Sequence, residues 1–472
     1  MQASLLPRSA LGAVAALVAL ALTGCDSSPA TPAGAARLLG AAAAAGRAGD
    51  PELRPLDHIV VIYLENHSFD NLYGEFAGAD GLASAAASAF PQVDASGTPY
   101  VTLPTIPSPL FPPALSNAPF PIEPYVHADQ ATIDLVHRFY QELAQIDHGW
   151  MDKFALVSDA KGLVMGFYHT AHLRLVAEVR RYTLCDQFFH GAFGGSFLNH
   201  FWLVAARSPV FPNAPASVVV QLDASGNLVR DGFVTPDGYA VNTAYTVNTP
   251  HPSGIPSNRL VPNQTFATIG DRLSDKGISW AWYAGGWNNA VAGHPDATFQ
   301  FHHQPFAYFT NYADGTAAKA EHLKDEQDFL AVLATGQLPA VAFVKPLGIN
   351  NEHPGYTDLI TGENHVKALL DAIRNSPHWN HTAVIITYDE NGGFWDHVAP
   401  SVVDRWGPGS RVPTIVVSPF ARKGFVDHRR YDTTSILALI EHRWGLAPLA
   451  TRDAAADPLS GAFDFSQAPG QQ

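Results

Sequence analysis

Two β-branched apolar runs in this chain end in acids. DHIVVIYLEN, residues 57–66, closes on Glu65 and Asn66, and TAVIITYDEN, residues 382–391, closes on Asp389 and Glu390. Such runs read as strands buried on both faces of a parallel sheet, whose ligands sit beyond the carboxyl ends of the strands. Oxygen donors from distant parts of the chain would then meet on one rim, as a hard divalent cation requires. Either acid alone could cap a following helix. Two such endings together favour a metal, because a buried carboxylate without a partner is costly.

A third segment supplies an alcohol. In GAFGGSFLNH, residues 191–200, Ser196 follows a double glycine, which permits a tight turn and close approach to a ligand. At a loop-to-helix junction, helix amide groups favour an anion. Leu198 stands where the G-x-S-x-G elbow needs its second glycine, so an esterase site is disfavoured. A metal-activated alkoxide, which needs no neighbouring base, is the better reading. His127, His302, His303 and His353 lie in loop-like sequence. As a group they could offset charge on phosphoryl oxygens and protonate a leaving group. His397 reads as part of the rim beside the second acidic end, and Asp70 as an acceptor that holds the first loop.

These residues need a scaffold. The fold is expected to start near Leu56, with residues 77–125, rich in Pro, Ala and Ser, as a surface excursion. Helical spacing is expected across 128–181, including ATIDLVHRFYQELAQIDHG, and again in FLNHFWLVAA. Residues from about 207 to 260 turn β-like, with a hairpin around Ser225, Gly226 and Asn227. From TFATIGDRL onward helix and strand alternate, with Gly277 as a helix stop. This pattern predicts an α/β domain over 55–460: a mostly parallel sheet flanked by helices, with a β-rich insertion or cap.

Composition narrows the partners. A chain of 472 residues, 47% hydrophobic and 15% charged, can bury a large core. The net charge of −15 argues against nucleic acid. Arg8, the run LGAVAALVALAL and then Leu22-Thr23-Gly24-Cys25 look like a bacterial lipoprotein signal, residues 1–24, with Cys25 lipid-modified. The expectation is an exported envelope protein on the periplasmic side, touching membrane through that anchor alone. Residues 25–54 read as a flexible tether and 461–472 as a flexible tail. Cys185 is then the one internal thiol, placed in apolar sequence and expected in the core.

Several of these motifs occur together in one known family. LENHSFDNLYG, FGGSFLNH and YDENGGFWDHV, followed by GPGSRVPTIVVSPFA, resemble the bacterial phosphoesterases that group phospholipase C-type enzymes with a respiratory-burst-inhibiting acid phosphatase. The resemblance runs from about Leu56 to Leu446. It implies an alkaline-phosphatase-like core and hydrolysis of phosphate esters through a covalent phospho-enzyme. By that resemblance Ser196 is the nucleophile, and Glu65, Asn66, Asp389 and Glu390, with Ser196, are metal ligands. His127, His302, His303 and His353 line the phosphate pocket, which Asn66 and Asn199 also reach. The phospholipase branch typically carries Gly-Pro-Thr and Pro-Asn-Arg where this chain has Gly-Gly-Ser and Leu-Asn-His, so the chain looks like the acid phosphatase branch. The expectation is therefore a metal-dependent acid phosphatase acting on small phosphate monoesters, most active on the acid side of neutral. The alternative is a phospholipase C, and a non-enzymatic solute-binding lipoprotein would release no phosphate. Oxygen donors favour Mg, Ca or Mn, although related sites hold transition metals, so the ion's identity stays open. His67 replaces an arginine often seen after Glu-Asn, which would make the local charge pH-dependent.

Overall fold

The computed structural model describes residues 49–86 and 90–467. Eight strands build its main sheet: β1 (His58–Leu64), β2 (Thr183–Cys185), β3 (Trp280–Ala284), β4 (Leu323–Asp325), β5 (Val341–Lys345), β6 (Thr382–Tyr388), β7 (Thr414–Val417) and β8 (Phe425–Asp427). Their spatial order is β8-β2-β7-β6-β1-β5-β3-β4. All pairings are parallel except those of β7 with β6 and β2. The central strands β1, β5 and β6 are buried almost throughout, which is why their sequences are continuous apolar runs with no alternation.

Helices flank this sheet: α1 (Phe69–Tyr73), α2 (Phe139–Ile146), α3 (Ser196–Ala205), α4 (Ile269–Asp275), α5 (Glu326–Thr335), α6 (Leu359–Arg374) and α7 (Thr433–Trp444). Local chemistry sets several of their ends. Thr268 and Asp271 form a capping box at the start of α4, and Asp358 accepts from Thr361 N at the start of α6. Gly277, at φ +66°, follows the end of α4 as its composition foretold. The expected α/β sheet is present.

Other expectations need correction. Within 128–149 only α2 and a following short turn are helical, and residues 131–138 form no regular secondary structure. Tertiary partners claim the backbone there: Val136 N donates to Asp159 Oδ1 at 2.9 Å, and Phe139 N to Asn242 Oδ1 at 3.1 Å. In the 207–260 segment, regular strand pairing is confined to Gln221–Leu222 with Leu228–Arg230, joined through the expected Ser225-Gly226-Asn227 turn. The nominal tether and tail are partly packed. Asp50 N donates to His442 O at 2.8 Å, and Leu53, Ala462 and Phe463 are buried. The lipobox, Cys25 and residues 468–472 lie outside the described residues. Among the described residues, no helix is long and apolar enough to cross a membrane. Cys185 is buried and unpaired, and burial pushes its thiol well up.

A buried ion network ties α1 to the loops beside β6 and β7. Arg411 donates to Asp396 Oδ1 at 2.8 Å and to Asp70 Oδ1 at 3.2 Å, and His397 Nδ1 meets Asp70 Oδ2 at 2.6 Å. Asp70 thus holds its loop as expected, with Arg411 as the cation. Burial lowers the His397 pKa, but Asp70 outweighs it and raises it from 6.5 to about 9. Its stabilisation is complete below pH 6.5 and is lost as pH rises through 9, about 2 kcal/mol after allowing for partial exposure. Glu441 acts with the same sign, since burial and then Asp453 raise its carboxyl to about 9. We therefore expect the urea midpoint to fall between pH 6.5 and pH 9.5. An unchanged midpoint would refute this assignment.

Candidate active site

Strand register brings the two acidic ends together. Leu64 pairs with Tyr388, so Glu65 and Asp389 leave neighbouring strands at the same level. Asn66 N donates to Asp389 Oδ1 at 3.2 Å. Asn66 itself is left-handed at φ +69°, a conformation asparagine tolerates better than most residues. Facing it, Gly392 (φ +61°) leaves no space for a side chain, since a Cβ there would lie 2.1 Å from Asn66 O. Glu65, Asn66, Asp389 and Glu390 are all fully buried.

Ser196 completes the group. It is the first residue of α3, and its Oγ donates to Glu65 Oε2 at 3.0 Å. The double glycine is needed for close packing: a Cβ on Gly194 (φ +88°) would lie 2.6 Å from Phe139 N, and one on Gly195 2.6 Å from His137 O. The turn is braced from below by Glu142, which accepts from Gly194 N at 2.5 Å and meets His190 Nε2 at 2.9 Å. In front of Ser196 lies a cavity of about 220 Å³ lined by Asp134, His137, Arg138, Gly195 and Asn242 among others.

Imidazoles surround the carboxylates. His303 Nε2 lies 2.9 Å from Glu65 Oε1. Asn66 Nδ2 lies 3.1 Å from His353 Nε2 and 3.3 Å from His137 Nε2. Both rings have Nδ1 against a backbone carbonyl, His353 on Pro354 O at 2.6 Å and His137 on Leu135 O at 2.5 Å. This assigns Nδ1–H tautomers with Nε2 lone pairs facing the site. His200 Nδ1 likewise lies 2.7 Å from Ser196 O. Lys345, the last residue of β5, forms an ion pair with Glu65 Oε1 and lies 3.9 Å from Asp389 Oδ2.

The donor set fits a cation. Three carboxylates converge in a buried site, and Lys345 is the one lysine or arginine paired with them among the described residues. Asn66 Oδ1, Asp389 Oδ2 and Glu390 Oε1 are buried without a hydrogen-bond partner among those residues. Burial, then neighbouring carboxylates, push Asp389 and Glu390 well above the usual carboxylate range. Glu65 goes the other way: against burial, Lys345 and then His303 hold it well below that range. Unpaired acceptors and mutual repulsion are what a divalent ion relieves.

A family model described as Phosphoesterase family matches residues 56–447. The chain belongs to the phosphoesterase family. Phospholipase C B of Mycobacterium tuberculosis is 27% identical over 465 residues, spanning 88% of this chain and 79% of that protein. Non-hemolytic phospholipase C of Pseudomonas aeruginosa is 24% identical, spanning 88% of this chain and 58% of the relative. Non-specific phospholipase C6 of Arabidopsis thaliana is 36% identical over 154 residues, or 26% of this chain. Among solved structures, a protein in the alkaline phosphatase superfamily from Vibrio parahaemolyticus is similar at TM-score 0.34 and 10% identity, over 71% of this chain and 73% of that one.

The chain is thus a phosphoric ester hydrolase, and phosphoesterases of this kind depend on a metal ion. The structure gathers Glu65, Asn66, Ser196, Asp389, Glu390, His303 and His353, with His302 edge-on to His303 at a ring separation of 4.8 Å. Two other expected site residues stand differently in this phosphoesterase. His127 is exposed and none of its described contacts reaches the group; His137, ten residues on, occupies that side instead. Asn199 is spent on the turn: its amide donates to Ala192 O and Gly194 O at 3.0 Å, and its Oδ1 accepts from Ala192 N at 2.9 Å. It braces the turn before Ser196, and its amide is fully engaged there.

The pH expectations also change. Burial lowers His302 well below 6.5, His303 to about 4, and His353 below its ordinary value. Neutral imidazoles do not supply the positive charge from which an acid optimum was expected. His67 is likewise buried and lowered to about 4, so it is uncharged near neutral pH. Sequence reasoning missed His137, His200 and Lys345. The helical spacing around His137 hid an irregular segment, whereas Lys345 ends a buried strand as visibly as the acids do.

Proposed function

We propose that this chain is a phospholipase C-type phosphodiesterase, with Ser196 as nucleophile beside one divalent cation held by Glu65, Asn66, Ser196, Asp389 and Glu390. The observation that carries the reading is the buried Ser196 Oγ, 3.0 Å from Glu65 at the rim where the three carboxylates meet. The cation, when bound, lowers the pKa of the serine alcohol and neutralises phosphoryl charge. Ser196 Oγ forms a bond to phosphorus as the bond to the lipid alcohol breaks. The proton displaced from Ser196 Oγ, which the hydroxyl donates to Glu65 at rest, would pass by way of one rim imidazole, His137 or His353 at Nε2, to the departing oxygen. Water then attacks phosphorus, freeing the headgroup phosphate and restoring the serine. Support for a lipid diester comes from the phospholipase C relatives that span 88% of this chain.

A second reading, monoester hydrolysis, is favoured by the Gly-Gly-Ser and Leu-Asn-His segment and by the small cavity, about 220 Å³, in front of Ser196. The two separate on a substrate pair. With phosphatidylcholine in mixed micelles and a chromogenic phosphomonoester, the diesterase reading expects kcat/KM higher by at least about tenfold for the lipid. The reverse preference would replace it with the monoesterase reading.

A further inference from the structure

Glu65 stands between two places for a positive charge. Its Oε2 faces Ser196 Oγ. Its Oε1 faces His303 Nε2 at 2.9 Å, and Glu65, His200 and His303 can bring one ligand atom each within 4.8 Å of one another. That second group has the chemistry of a transition-metal site: one carboxylate and two buried imidazoles. His200 is oriented as metal-bound histidines are, with Nδ1 against a backbone carbonyl and Nε2 buried without a hydrogen-bond partner among the described residues.

Lys345 approaches that group through Glu65. It is fully buried, and its Nζ contacts Glu65 Oε1, the oxygen that faces His303 Nε2. The other neighbours of Nζ are Leu64 O at 3.3 Å, Asp389 Oδ2 at 3.9 Å and the face of Tyr63 at 5.1 Å. Two of these are oxygen acceptors and the third is an aromatic face. Three carboxylates and one ammonium leave two negative charges, the complement of a single divalent ion.

We propose that the Lys345 ammonium is a resident second cation, occupying the position that Glu65, His200 and His303 would otherwise offer to a second metal ion. Lys345 is then a positioning residue: it holds Glu65 so that Oε2 faces the serine, and it limits the chain to one metal per site. The inference rests on the one-ion reading of the Ser196 site, and metal counting tests the two separately.

The experiment is equilibrium dialysis of the folded full chain against excess Zn²⁺, with bound metal measured by mass spectrometry. The wild type is expected to hold one equivalent. Lys345→Met, which keeps the length and loses the charge, is expected to hold two, and Lys345→Met with His200→Ala to return to one. Lys345→Gln, which can still donate to Leu64 O, is the second variant should the methionine chain not fold, and it too is expected to hold two. One equivalent in each folded Lys345 variant would overturn the inference and leave the one-ion reading intact. No bound metal in the wild type would overturn both.

Discussion

Ser196→Ala is expected to lower kcat by at least about a thousandfold while changing KM by less than about threefold, because the lost group acts on phosphorus and contributes little to ground-state binding. The hydroxyl sits at the first position of α3, buried, with its hydrogen bond on Glu65. Removing it deletes one oxygen from the convergent donor set and leaves the turn intact, since Asn199 and Glu142 hold the loop through its backbone. The variant should therefore fold with an unchanged urea midpoint. A rate within about tenfold of wild type would exclude Ser196 as nucleophile, since losing an essential nucleophile costs far more than that.

Metal removal is expected to have an effect of similar size. A strong chelator should abolish turnover, and returning divalent ion should restore it. Buried Asp389 and Glu390 repel each other and Glu65, and Lys345 compensates only part of that charge. Each ion stripped from the folded state also withdraws its binding energy from stability, by about 3 kcal/mol at a hundredfold excess over Kd. Thermal scans with and without chelator read this directly. Asp389→Asn is expected to weaken metal binding by at least about tenfold, since it removes a charged ligand. Full activity in the presence of chelator, with no metal in the protein, would contradict this part of the account.

The fold and much of the site could be read from the sequence where one force dominates. β1 and β6 are buried on both faces, so their apolar runs are unbroken and the acids that end them stand out. Where tertiary partners decide, local pattern misleads. Residues 131–138 have helical spacing but form no helix, and Asp159 takes the amide of Val136 while Asn242 takes that of Phe139, where α2 begins. His137 was hidden in that stretch, and His127 stood in for it. The resemblance, and a place in the same turn as Ser196, made Asn199 an expected phosphate contact, yet the tight Gly194 turn needs its amide. Lys345 shows the remaining gap: a lysine after Val344 reads as the end of a strand, and only the sheet register places it against Glu65.

The most direct test is to trap the covalent adduct. The wild-type chain is mixed with excess substrate, quenched in acid within a single turnover, digested, and mapped by mass spectrometry. The account predicts a phosphorus-bearing group on the peptide containing Ser196, absent from the Ser196→Ala chain. An adduct on His137, His303 or His353, or turnover at full rate with Ser196 never modified, would contradict it.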